Sequence, residues 1–441
     1  MSASAAVRPR SWAPLAAPAS VLGGLFAVGL MPGAVAFAAV AFVPLVMVSV
    51  SVGVALWIPA LFVVPGLVTS LMFLVIATAW LGSLVFVRPG LGEVLPGQRR
   101  LVGAFALLLA WLALTLVWAR SPELGWMDLR GWMIAAGTLL VVATTTTTPG
   151  RLRLVLAAFL VGAVLSVVLG VLAGTPVTPP GSPPARFAGR VGNPNDLAAQ
   201  LLPVIVLAVA LAADRRRLIE RLPLAACALG LTVALAATQS RGGLVAAAVT
   251  IVAAPIIYNR YRRYVMAAAV LAALAATVWF AFSPRDLSHA TSFGDGGAGR
   301  TTLWAVAWHM ANDYAPVGVG LGNFRPVSLD YVRQPGLLPY IGQVEAPHVV
   351  HDTYLQLLAE TGVPGLGLFL VAVGACLAAA RRAVVSFERK GRSDLAALAR
   401  AVLLAVVSVL AAQVFQSNGY DVMLWILLAL GPAMLTMAHR R

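Results

Sequence analysis

The chain has 441 residues, 60% of them hydrophobic and only 11% charged, with a mean hydropathy of +0.90. Soluble domains carry about 45–50% apolar and about 25% charged residues, so a water-soluble, disordered or fibrous protein is excluded. The net charge of +15 would point to nucleic acid in a soluble protein, but here its distribution decides. Cys227 and Cys376 both lie within apolar runs and imply no disulfide framework.

In chain order, Arg8 and Arg10 precede an apolar run far longer than the roughly 7–15 residues of a signal-peptide core, which reads as an uncleaved first span. That run, 13–87, is nearly free of charge and is interrupted by Pro32, Pro44, Pro59 and Pro65, which membrane helices tolerate. Further spans are expected at 101–118, 131–148, 154–174, 195–213, 222–238, 244–259, 264–282, 352–380, 401–415 and 422–438. Each has the length of a helix of roughly 20 apolar residues, and none shows the alternating segments of about 10 residues that a β-barrel needs. The expected fold is all-α: one polytopic membrane domain over 1–441, with 12 transmembrane helices, or 14 if the first run folds into four. Within it, 283–350 forms a long extracytoplasmic loop.

The loops alternate in character. One set (Arg8/Arg10, Arg88/Arg99/Arg100, Arg151/Arg153, Arg215–Arg217/Arg221, Arg260/Arg262/Arg263, 381–400 and Arg440/Arg441) holds 22 Lys and Arg against 5 acidic residues. The other (Arg120/Arg130, Arg186/Arg190, Arg241, 283–350 and Asn418–Asp421) holds 9 against 11. The positive-inside rule places the first set, and with it both termini, in the cytoplasm. The basic charge is then a topology signal facing anionic lipid, and no nucleic-acid partner is expected.

The outward face carries the unusual residues. Cations near the membrane core are costly, so Arg186, Arg190, Arg241 and Arg300 each need a partner or a function. Pairing with Asp196, Asp295 or lipid headgroups is one reading. A phosphate or pyrophosphate site, suited to the bidentate guanidinium fork, is the other. Arg300, Trp304 and Trp308 stand four apart and align on one face of a helix, with Trp either as interface belt or as sugar contact. His348 and His351 stand three apart. One such pair with no third ligand gives no metal site, and no metal or cofactor is expected. His351, Tyr354, Leu355 and Leu358 share a helical face, so His351 is expected to open a helix at the outer boundary. It is there either an interfacial side chain or a general base.

Four blocks, in order, resemble the O-antigen ligase and Wzy-polymerase superfamily, polytopic enzymes acting on undecaprenyl-diphosphate-linked glycans. They are Arg186-x-x-Gly189-x-x-x-Asn193-Pro194-Asn195-x-Leu197-Ala198, then Ser240-Arg241-Gly242-Gly243. Next comes Gly299-Arg300-x-x-Leu303-Trp304 running to Pro316-Val317-Gly318-Val319-Gly320-Leu321-Gly322-Asn323-Phe324. The last is His351-Asp352-x-Tyr354-Leu355 through Glu360-x-Gly362-x-x-Gly365. The resemblance covers about 186–365. It implies that Arg186, Arg241 and Arg300 hold the lipid-linked diphosphate and that His351 activates the acceptor hydroxyl. The chain departs from it twice. The usual His-Asn is His351-Asp352, which either raises the basicity of His351 or caps the helix, and Arg190 is an extra charge that ranks second to Arg186.

The function so implied is metal-independent, inverting transfer or polymerisation of a glycan onto a glycan or other cell-envelope acceptor. It takes place at the outer face of the cytoplasmic (inner) membrane. Trp304, Trp308, Tyr314, Tyr354 and His348 are candidate contacts to sugar or acceptor. The rival readings are a flippase or transporter for a lipid-linked glycan, which would place cations at mid-span, and a peptidoglycan polymerase of the shape-elongation-division type, centred on a carboxylate.

Overall fold

The computed structural model describes residues 41–64, 66–86, 99–174, 186–258, 262–263, 266, 300–332 and 349–440. Every regular element among them is helical. The helices are α1 (Val50–Val63), α2 (Gly66–Phe86), α3 (Arg99–Leu114), α4 (Pro122–Thr145), α5 (Pro149–Leu172), α6 (Pro194–Asp214) and α7 (Leu218–Ala237). They continue with α8 (Arg241–Ile257), α9 (Arg300–Asp313), α10 (Phe324–Val332), α11 (Thr353–Arg389), α12 (Ser393–Ala412) and α13 (Val422–His439). Among the described residues, eight helices are long and apolar enough to cross a membrane. The chain is a polytopic, all-helical membrane protein. The expected span at 264–282, residues 13–40 and the choice between 12 and 14 crossings lie outside the described residues.

Helix α13 forms the centre. It is apolar on every side, and Met423 through Ala438 are all buried, the pattern of a helix enclosed by others. It packs between α4, α11 and α12, while α6 lies against α5, α7, α8 and α12. At Gly431 an added Cβ would lie 2.4 Å from the Cys376 carbonyl oxygen, so glycine here lets α13 reach the backbone of α11. Trp132, Phe369 and Trp425 meet edge to face. Helix α2 instead exposes Leu67, Leu71, Leu74, Leu81 and Val85, an apolar face suited to lipid.

The two loop sets separate to opposite ends. At one, Arg153 pairs with Asp214 (2.7 Å) and Asp394 (3.2 Å), and Lys390 Nζ donates to the Ala438 carbonyl (2.6 Å). The threonine run at this end, given no role from sequence, is a packed junction. Trp80 Nε1 donates to Thr144 Oγ1 (2.8 Å), Ser51 Oγ and Arg151 donate to the Thr145 carbonyl, and Thr148 caps α5. At the other end Arg120 pairs with Asp330, and Tyr420 donates to Asp128 (3.1 Å).

One expectation changes and another gains detail. The described part of segment 283–350 contains α9 and α10, and Leu303, Val306, Met310, Phe324 and Tyr331 form a small core of their own. The helix expected to open at His351 begins at Thr353, because His351 has φ +58°, outside the helical region, and Asp352 is the cap.

The last structural joint lies where α11 is interrupted. Gly362 has φ +66°, and there the backbone interlocks with the glycine-rich segment before α10. Val319 and Gly320 donate to the Ala359 and Glu360 carbonyls (3.0 and 2.8 Å), and Val363 donates back to Pro316 (3.0 Å). The buried Glu360 carboxylate accepts from Gly322 N (3.0 Å) and Phe324 N (3.1 Å), which ties the start of α10 to α11. A Cβ at Gly362 would lie 1.9 Å from the Pro316 oxygen. Gly362→Ala is therefore expected to destabilise by about 3 kcal/mol or more, from strain and overlap together, read as a lowered thermal midpoint of the detergent-solubilised protein.

Candidate functional site

The outward arginines are brought together by short loops rather than by the spans. Asn193 opens α6, its side chain accepting from Asn195 N (2.8 Å) and Asp196 N (3.4 Å), and Pro194 occupies the first turn, where a missing N–H costs nothing. This leaves the Asn195 amide free to face outward. Its Oδ1 accepts from Arg186 (3.0 Å) and from Ser240 Oγ (2.8 Å). Ser240 also caps α8 through Gly243 N, and Arg186 Nε donates to the Thr238 carbonyl (2.8 Å). The first and second sequence blocks thus form one hydrogen-bonded unit. Close approach completes it, since a Cβ on Gly170 would lie 2.4 Å from Gly189 Cα.

Arg186, Arg241 and Arg300 fall within electrostatic reach of one another. Burial and then the charges of Arg300 and Arg241 lower the Arg186 guanidinium from its ordinary value, and burial and then Arg241 lower Arg300. An anion held beside these guanidinium groups would relieve the repulsion among them. Arg190 does not join them: its backbone is held by Ser166, and its side chain is exposed.

Arg300 opens onto a cavity of about 450 Å³, which His351 and Arg325 also line. Such a volume lies within the range of roughly 300–1,000 Å³ usual for small-ligand sites. Its walls are the start of α6, the turn 413–421 and the start of α13. That turn is fixed to the His351 segment. Ser417 Oγ accepts from His351 N (2.8 Å), and Thr353 Oγ1 donates to the Gln416 carbonyl (2.7 Å) and accepts from Asn418 N (3.0 Å). Of the two roles left open for Asp352, the geometry gives the cap. Oδ1 accepts from Tyr354 N and Leu355 N, both at 2.9 Å, and burial raises its carboxyl while these bonds oppose the rise.

Other residues also line the cavity. Arg325 is one, on its exposed side. Asp196, named from sequence as a pairing partner for the outward arginines, accepts from Gln416 (3.1 Å), and Asp421, which sequence reasoning did not single out and which caps α13, has a carboxyl pushed up to about 6 by burial and by Asp196. Asp196 sat within a recognised block, but Asp421 looked like a boundary charge. Gln200 was an isolated polar residue in an apolar span.

The aromatic candidates sit elsewhere. Trp304 packs against Phe415 at 6.3 Å, outside the lining, and Phe415 itself faces the cavity. Trp308 and Tyr314 are 56% and 46% exposed. Tyr354 is committed to the Leu410 carbonyl (2.7 Å). Helical spacing put Arg300, Trp304 and Trp308 on one strip, but α9 buries Leu303, Val306, Ala307 and Met310 instead. His348 lies outside the described residues.

Residues 225–370 match the family model described as O-antigen ligase. No curated protein matches the chain. The matched stretch holds Arg241, Arg300 and His351; Arg186 lies before it and joins the site through Asn195. Removing that acceptor strands two donors. Asn195→Ala is expected to cost about 1–3 kcal/mol of stability, and in a double-mutant cycle with Ser240→Ala the two losses should be non-additive by about 0.5–1.5 kcal/mol, measured by thermal unfolding.

Proposed function

We propose that the chain is a member of the O-antigen ligase and Wzy superfamily, whose ligase model its residues 225–370 match, and that it transfers a glycan from undecaprenyl diphosphate to an acceptor at the outer face of the cytoplasmic membrane. The observation that carries this reading is that Arg186, Arg241 and Arg300 lie within electrostatic reach of one another, and that Arg300 lines a cavity that His351 also lines.

In the proposed step, the acceptor hydroxyl oxygen attacks C1 of the sugar on the diphosphate. The C1–O bond to phosphate breaks, and its electron pair leaves with undecaprenyl diphosphate. The hydroxyl proton passes to His351. Attack opposite the leaving group inverts the anomeric centre. The three guanidinium groups, of which Arg186 is anchored by the Thr238 carbonyl and Asn195, stabilise the charge that develops on the leaving oxygen. Arginine suits this task because its fork meets two phosphate oxygens at once. The scheme uses no metal, since guanidinium supplies the positive charge.

The same arrangement favours an enzyme over a transporter. The cations lie at the end of the bundle that carries the loop caps, whereas a translocation path would hold them at mid-span. Both termini in the cytoplasm and an outward-facing site follow from the charge asymmetry, on the same proposal.

His351→Ala is expected to lower transfer by about 10²–10⁴-fold while leaving membrane insertion and abundance unchanged, assayed with purified protein and a lipid-linked glycan. Full activity in that variant would remove the general-base role. Arg241→Lys and Arg300→Lys should each reduce transfer by roughly 10-fold or more, because a point charge does not replace the fork. Glycan from a deletion strain separates the two members of the class: shortened chains indicate a polymerase, and full-length unattached glycan a ligase.

A further inference from the structure

Water can satisfy the backbone of an exposed turn, so such turns ordinarily leave N–H groups open to it. The turn from Tyr314 to Gly318, between α9 and α10, leaves none. Tyr314 N donates to Met310 (3.0 Å), Ala315 N to Asn312 (3.3 Å), and Val317 N and Gly318 N both to Tyr314 (3.2 and 2.9 Å). Pro316 has no N–H, its carbonyl accepts from Val363 N (3.0 Å), and the Gly318 carbonyl accepts from Trp118 Nε1 (3.1 Å). Yet Tyr314 through Val317 are exposed. A backbone closed on itself at an exposed site suits a medium poor in water, where unpaired polar groups are costly. The side chains agree. Residues 314–324 carry no charge, and neither do the segments they touch, 101–119 and 361–380. Val117 and Val363 are 81% and 62% exposed, and Leu114, Trp118, Tyr314 and Val317 are exposed as well. The bonds from Trp118 and Val363, with Gly320 seated against Thr115 and Ala119, join these residues into one surface. Its rim is polar: Arg120 pairs with Asp330, and Tyr331 donates to Asp313 (2.7 Å).

We propose that the surface formed by Leu114, Val117, Trp118, Tyr314, Val317 and Val363 docks into the headgroup–acyl boundary of the leaflet at this end of the bundle. Its partner is lipid because the surface continues without a break into the spans. Leu107 on α3 and Leu370 and Val371 on α11 carry the exposed apolar face onward, where acyl chains surround a membrane helix. Indole and phenol rings at the upper edge fit the level where one end of the ring is apolar and the other wet. Tyr314 is then a membrane contact rather than a sugar contact. Segment 314–318, part of a stretch that hydropathy reads as extracytoplasmic loop, lies in the bilayer surface and holds the cap of α9 and α10 there. Arg325, at the start of α10, lines the cavity, so this docking also sets the height of one cavity wall against the lipid. The surface does not depend on which ligand the cavity takes.

The test is spin-label accessibility in the full chain, held in nanodiscs of phosphatidylethanolamine and phosphatidylglycerol. Nitroxides are attached one at a time through Tyr314→Cys and Val317→Cys, two independent positions on the turn. Val371→Cys on α11 gives the acyl-chain reference and Asn312→Cys, at the exposed end of α9, the aqueous one. Cys227→Ala removes the half-buried native thiol, and Cys376 stays because it is buried. Each label is relaxed by oxygen, which concentrates in the bilayer, and by nickel ethylenediaminediacetate, which stays in water. At Tyr314 and Val317 relaxation by oxygen should exceed that by the nickel chelate, as at Val371, with the order reversed at Asn312. If the chelate dominates at both turn positions, the segment lies in water and the docking is overturned. It is equally overturned if both reagents are excluded there and the labels broaden one another until diluted with unlabelled chain, since a second copy then covers the surface.

Discussion

Like charges held together at a membrane boundary must be paid for in hydrogen bonds, and the architecture of the outward end follows from that constraint. Arg186 is anchored by the Thr238 carbonyl and by Asn195, and the same Asn195 oxygen receives Ser240, the residue before Arg241. One amide thus couples the loop after α5 to the hairpin between α7 and α8. Arg300 reaches the pair from a third element, α9, which rests on α11. The three cations come from segments more than 50 residues apart in sequence, which is why spacing alone does not reveal the cluster.

A second joint serves the histidine. The backbone of His351 takes a conformation uncommon for a side-chain-bearing residue, held by Ser417 on one side and by the Asp352 cap on the other. The cap holds the start of α11, and the turn 413–421 brings Gln416, Asn418 and Asp421 to the same cavity. The helix entry and the turn are therefore one construction, in which Thr353 bonds both Gln416 and Asn418.

Much of this was legible from sequence, because lipid makes a simple demand. A span must be long and apolar, so the boundaries of α5, α6, α7 and α13 fall within a few residues of those expected from hydropathy. The charge asymmetry likewise sorted the loops into two ends, as the contacts of Arg153 and of Asn195 bear out. The facing of α9 was not legible: a strip of Arg300, Trp304 and Trp308 is visible in the spacing, but which strip meets the core depends on α10 and α11. Gln200 was hidden for the opposite reason. A single amide in an apolar span carries no periodic signal, and its place in the cavity wall appears only once α6 is packed beside the turn 413–421. The threonine run 144–148 looked like low complexity, yet each member from Thr144 to Thr147 is buried.

The interlock at Gly362 bears on how such a protein can diversify. Gly318, Gly320 and Gly322 all take positive φ, and backbone hydrogen bonds fix their register against Ala359 and Glu360. Inserting or deleting one residue there would move a side-chain-bearing residue into a conformation suited to glycine and shift every bond in the pair. The length of this segment is thus rigid. Changes in what the cavity admits are then left to substitutions on its walls, with this segment kept at constant length.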